Sequence, residues 1–140
     1  MVFYTGGMRT ALRIACGLCF ALVLIGCGGS ALSGKYTASV EALSPSPSPA
    51  YERVKQGMVT APETLELKPD GSFETRRGDE VIWKGQWKAE GSTLSLRATS
   101  VKGVAVASSL QDEVKFSLRQ DGSITDDRTK GENYQRVFRR

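Results

Sequence analysis

Histidine is absent from all 140 residues, and the three cysteines, Cys16, Cys19 and Cys27, crowd into the first 27. The missing imidazole removes the commonest metal ligand and the side chain best matched to proton transfer near neutral pH. Zinc, copper and iron sites of ordinary type draw on His or Cys, so none is expected, and no cofactor with them. A serine or cysteine hydrolase of the usual kind is excluded on the same ground, because it needs an imidazole base or a thiol. Long apolar runs are missing too. The longest, Ile14 to Ile25, holds about a dozen residues, against ~20 for a helix that spans a bilayer.

That short run follows Arg9 and Arg13 and ends in Leu24-Ile25-Gly26-Cys27. Positive charge, then a short apolar segment, then small residues at a cut site is the pattern of a secretory signal. The four-residue ending resembles the lipobox of bacterial lipoproteins. In that family the Cys thiol takes a diacylglycerol, the peptidase cuts before it, and the new amine is acylated. The resemblance therefore implies a signal peptide over 1–26, lipid attachment at Cys27, a lipid-attached tether over 27–33, and a membrane partner held through that covalent lipid. Gly28 after Cys27 resembles the sorting signal for an outer membrane, since the family's retention signal is usually Asp at that place. The expected address is the cell envelope, on the outer membrane facing the periplasm in a Gram-negative organism. Met1 to Gly7 carries no positive charge, so Met8, followed by Arg9, makes a more ordinary start.

Removing the signal leaves roughly 114 residues, enough for one domain with one core over 34–140. With Cys16 and Cys19 discarded and Cys27 lipidated, no thiol remains for a disulfide, although the compartment is oxidising. Packing and the hydrogen-bonded sheet must hold the domain together. Subtracting Arg9 and Arg13 from the formal charge of +4 leaves +2, with both signs well mixed. Nucleic acid is not an expected partner, because that role wants a basic stripe.

Gly34 to Ala42 alternates, with Tyr36, Ala38, Val40 and Ala42 on one side of a strand. Ser44-Pro45-Ser46-Pro47-Ser48-Pro49 interrupts it and predicts an extended loop over 44–50. Tyr51 to Ala61 fits either a short helix or an irregular strand. Thr64 to Lys68 alternates again, Asp70-Gly71 turns, and Phe73 to Arg76 returns, which is a strong hairpin signal. Val81, Trp83, Gly85 and Trp87 share a face, Leu94 to Ala98 has period two, and Val114, Phe116 and Leu118 line a further strand. Asp121-Gly122-Ser123 then turns into Ile124, and Glu132 to Arg139 supplies a last strand. Leu67 to Phe73 and Leu118 to Ile124 are nearly the same phrase, so both turns are expected to share one local geometry whether or not they descend from a duplication.

These elements predict an all-β fold, a small antiparallel meander barrel or sandwich of about seven to nine strands, after an N-terminal signal helix. Leu65-x-Leu67-x-Pro69-Asp70-Gly71-x-Phe73, then Gly85-x-Trp87 and Gly91-x-x-Leu94-x-Leu96, resembles the repeating pattern of small lipocalin-like domains in bacterial envelope lipoproteins. It covers about Thr64 to Ala98 and consists mostly of turns and core positions, so it implies a fold and no particular function. Copper-resistance lipoproteins share this build and carry a Cys-x-x-Cys, which the chain after Cys27 lacks.

Trp83, Trp87 and Phe116 are the candidate ligand surface, aromatic side chains able to stack on a small apolar ligand at a barrel mouth. The competing reading makes them core anchors of a domain without disulfides. Carboxylate pairs at Asp79-Glu80, Asp112-Glu113 and Asp126-Asp127 read as solvated turn residues, because strand neighbours point to opposite faces. Arg76-Arg77 and Arg136 with Arg139-Arg140 read as guards of open sheet edges, with anionic lipid headgroups as the alternative. Arg77-Gly78-Asp79 reads as turn chemistry. The expected function is a lipid-anchored, non-catalytic binding or scaffolding module whose partner is a small apolar ligand or an envelope protein. A hydrolase inhibitor offering the loop from Arg76 to Glu80 is the alternative, and an envelope enzyme stands third.

Overall fold

The computed structural model describes residues 31–140, apart from the side chains of Lys130 and Glu132. The expected signal peptide, Cys27 and most of the tether lie outside the described residues. The strands are β1 (Gly34–Ala42), β2 (Glu63–Leu67), β3 (Ser72–Arg77), β4 (Glu80–Glu90), β5 (Thr93–Val101), β6 (Val104–Ala105), β7 (Glu113–Leu118), β8 (Ile124–Asp126) and β9 (Tyr134–Arg139). One helix, α1 (Pro49–Thr60), joins β1 to β2.

All pairings are antiparallel. The sheet runs β4-β3-β2-β1-β9-β8-β7-β5, and β4 pairs with β5 to close eight strands into a barrel, with β6 added beside β5. Closure settles the choice between barrel and sandwich, and it removes the open edges that Arg76, Arg77, Arg136 and Arg139 were expected to guard. Those arginines do other work. Arg76 pairs with Glu74 at 2.6 Å, Arg139 pairs with Glu41, and Arg136 of β9 meets Glu63 of β2 at 3.2 Å.

Period-two alternation supplies the core. Tyr36, Leu65, Leu67, Phe73, Trp87, Leu94, Leu96, Phe116, Ile124 and Phe138 turn inward and form one cluster. Phe116 and Phe138 meet edge to face with ring centroids 6.2 Å apart.

The turn phrases share one geometry, as the sequence requires. Asp70 Oδ1 accepts from Ser72 N at 2.8 Å and from Ser72 Oγ at 2.6 Å, while Asp121 Oδ1 accepts from Ser123 N at 2.9 Å and Ser123 Oγ at 2.6 Å. Gly71 and Gly122 sit at φ 84° and 79°, a region that a side chain disfavours. In both turns the aspartate is spent on its serine, and these bonds hold its pKa below the ordinary value.

The Pro/Ser-rich stretch is shorter than the expected loop over 44–50, because helix α1 begins at Pro49. Ser48 caps it, its side chain accepting from Tyr51 N at 3.2 Å, and Pro49 at the first helical position needs no donor there. Met58 packs against the barrel core, and Tyr51 lies 6.4 Å from Tyr134 between ring centroids. The segment from Tyr51 to Ala61 is therefore helical up to Thr60 and not an irregular strand.

The strand registers define two ends. At one end lie Gly34, the Asp70-Gly71 and Asp121-Gly122 turns, and residues Ala31 to Ser33, whose carbonyls at Ala31 and Ser33 accept from Arg140. At the other lie Ala42, Glu63, Arg77 and Asp126, together with α1.

Candidate ligand-binding cavity

Four strands carry an inward apolar row into a charged residue at the α1 end. The rows are Leu67-Leu65-Glu63 in β2, Phe73-Thr75-Arg77 in β3, Ile124-Asp126 in β8 and Phe138-Arg136 in β9. Between them a cavity of about 110 Å³ opens, walled by Leu65, Leu96, Phe116, Phe138 and Trp83, and rimmed by Arg77, Arg128, Arg136, Glu63 and Asp126. A second, apolar recess of about 150 Å³ lies on the other side of Trp83 and Leu96, beneath the segment that carries Val106 and Leu110. Helix α1 borders the mouth, where Val54, Gly57 and Met58 face Glu63, Arg77 and Arg136 across a groove.

The rim is an ion network. Glu63 takes Arg136 Nη1 at 3.2 Å and Arg77 Nη2 at 3.7 Å. Arg128 grips Asp126 with two prongs, Nε to Oδ1 at 2.8 Å and Nη2 to Oδ2 at 2.7 Å, and its guanidinium lies over the Phe116 ring at 5.4 Å. Asp126 is 1% exposed, so it is not the solvated turn carboxylate that adjacency to Asp127 suggested. Register explains this, because Asp126 follows Ile124 on the inward face of β8. Burial by itself pushes its pKa up, but the hydrogen bonds and charge of Arg128 outweigh it and hold the carboxyl below the ordinary value.

The sign of the pH effect follows. A carboxyl whose folded pKa is depressed adds stability that is present above the unfolded value, about pH 4, and lost as pH falls through the folded one. Asp126→Asn should therefore cost about 1–3 kcal/mol near pH 7, and the gap to the unsubstituted protein should shrink below about pH 4. Urea melts at pH 7 and pH 3 measure both. A gap unchanged with pH would mean that the charge of Asp126 contributes nothing.

Of the three aromatic residues read from the sequence, Trp83 and Phe116 meet at this cavity. Trp87 does not. It is buried deeper in the barrel, and its indole N–H donates to the Lys68 carbonyl at 3.0 Å beside the Asp70-Gly71 turn. Thr75 braces the wall, its Oγ1 accepting from Trp83 N at 3.1 Å. Cys27 lies outside the described residues. The rim residues Glu63, Arg77, Asp126, Arg128 and Arg136 were missed as a group. For four of them the signal was present in the alternation, since Glu63, Asp126 and Arg136 stand two positions from Leu65, Ile124 and Phe138, and Arg77 two from buried Thr75. Arg128 lies past the end of β8 and follows no strand pattern. The loop from Arg76 to Glu80 is a tight turn on Gly78 at φ 58°, with Gly78 N donating to the Pro62 carbonyl at 2.8 Å.

A closed eight-stranded antiparallel barrel with a charged mouth over an apolar recess is the class that the geometry defines. Comparison with protein-family models, with curated proteins and with solved structures gives no match to this chain. Among the described residues no helix is long and apolar enough to cross a membrane.

Proposed function

We propose that this chain is a lipid-anchored cell-envelope lipoprotein whose barrel binds a small ligand without catalysis, on the outer membrane facing the periplasm where the organism has one. The observation that carries the reading is the cavity, in which apolar walls converge with a few placed polar groups, the usual make-up of a small-molecule site. A chain without histidine, and without a thiol after Cys27, favours binding over chemistry.

The two barrel ends support the anchor. Only three residues, Gly28, Gly29 and Ser30, separate Cys27 from Ala31, a reach of at most about 14 Å. Arg140 donates to the carbonyls of Ala31 and Ser33 and to the Tyr36 hydroxyl, and Leu32 packs on the core. Lipid at Cys27 would therefore hold the turn end near the bilayer and aim the cavity mouth away from it. A ligand would arrive from the aqueous side.

Native mass spectrometry of the protein purified from its own cells tests this. The expected mass begins at Cys27, carries acyl groups, and includes a retained small molecule released on activation. A chain that keeps residues 1–26 and has no acyl group would overturn the anchor. A co-purifying protein in place of a small molecule would favour the interaction reading.

A further inference from the structure

We infer that the cavity takes a small organic carboxylate with a compact apolar body, its carboxylate on Arg136 and Arg77 and its body against Leu65, Leu96 and Phe138. This rests on the binding-module reading and names the ligand class that the reading leaves open.

The first support is an orphaned donor. Arg136 Nε is buried and has no hydrogen-bond partner, the sole buried side-chain polar atom among the described residues in that state. Its Nη1 is committed to Glu63, so the guanidinium donor left without an acceptor is Nε. Buried polar groups are nearly always satisfied, and an unmet guanidinium donor is a place for an acceptor. A carboxylate is the acceptor whose two oxygens match that planar fork.

The second support is charge. Among the described side chains three arginines face two carboxylates at the mouth, and Asp126 is fully engaged by Arg128. Glu63 alone is shared between Arg77 and Arg136, with the Arg77 contact long at 3.7 Å. One further negative charge completes the set. A cation would instead meet the arginines at the entrance, and a neutral ligand could accept from Arg136 Nε but would leave the extra positive charge unbalanced.

Size then limits the apolar part. The recess holds about 110 Å³, and a cavity of about 150 Å³ takes a benzene molecule. Trp83 and Leu96 wall off the neighbouring recess, so a long chain cannot extend without moving Trp83. A short branched group fits the space as it stands, and a ring, whose reference cavity is larger, needs the partly buried Trp83 to give way.

Equilibrium dialysis of the full-length protein, in detergent micelles with empty micelles subtracted, against labelled benzoate, benzyl alcohol and acetate separates body from charge. Benzoate should bind one per chain and about tenfold tighter than benzyl alcohol, the effect of one charge-assisted contact. Acetate should not be retained. Arg136→Lys keeps the charge and removes Nε, so benzoate affinity should fall about tenfold while that of benzyl alcohol stays the same. Arg77→Gln, at a half-exposed rim position where folding is not at stake, should weaken benzoate alone by a smaller factor.

Benzoate binding no tighter than benzyl alcohol would overturn the carboxylate assignment and leave the binding module standing. Retention of none of the three overturns the inference too. The native mass spectrum then decides the broader reading separately, since a bound molecule of another class keeps it and an empty chain ends it.

Discussion

Gly85→Ala is expected to destabilise the barrel by about 3 kcal/mol or more, the upper part of the range for overpacking a core. A Cβ at Gly85 would stand 1.9 Å from the Arg97 carbonyl oxygen and 2.8 Å from a carbon of the Phe73 ring. The first neighbour is backbone, so no rotamer change relieves it. Strands β4 and β5 would have to part just where they close the barrel, beside the register shift between Lys84 and Gly85. For a domain of this size the melting temperature should drop by roughly 10–20 °C, at ~4–8 °C per kcal/mol. Thermal unfolding followed by circular dichroism reads this directly. A drop of only a degree or two would mean that β4 and β5 do not approach as closely as described, and the closure itself would be in question.

The same glycine shows how far the sequence could be read. Gly85 between Trp83 and Trp87 marked a strand and an inward face, because alternation is a local property. How closely β5 approaches Gly85 is not written in that alternation, although only Gly91 and Ser92 separate β4 from β5. Barrel and sandwich share the same alternating rows and Asp-Gly turns, and what closes this barrel is the pairing most distant in sequence, β1 with β9. Helix α1 was ambiguous because it has no fully buried residue, so its apolar period is faint, and because its cap, Ser48 before Pro49, sits inside a Ser-Pro run that reads as extended chain.

The cavity was half legible for a related reason. Trp83 and Phe116 stood out by size, whereas Arg77 and Arg136 read as edge guards and Asp126 as a solvated turn residue, since a charged residue is almost never buried unless paired, and Arg77 does stay half-exposed. Here they are paired. Arg128 satisfies Asp126, Glu63 joins Arg77 to Arg136, and Phe116 lies under the Arg128 guanidinium. A charge that follows the inward register of its strand is thus a sign of a lined interior. Its neighbours on the other face, Arg76 and Arg139, make outward pairs with Glu74 and Glu41. Adjacent arginines in the sequence have opposite duties once the pleat is taken into account.

Trp87 and Trp83 should part company in the same way when each is truncated. Trp87→Ala should cost about 3–5 kcal/mol, as for a large aromatic removed from a packed core. It would open a void beside Leu96, its cross-strand partner, and would leave the Lys68 carbonyl without the indole N–H that reaches it at 3.0 Å. Trp83 is only partly buried and already faces open space on two sides, one recess of about 110 Å³ and another of about 150 Å³. Less packing is lost when a wall between two recesses is removed, so Trp83→Ala should cost about 1–2 kcal/mol, below the range for a fully packed aromatic. Urea denaturation of the two variants side by side measures the contrast. Equal losses would mean that Trp83 is as much an anchor as Trp87 and that the recesses beside it close up in solution. A loss at Trp87 several times larger would leave Trp83 as a wall that can move, which is what a site that admits ligands of different bulk requires.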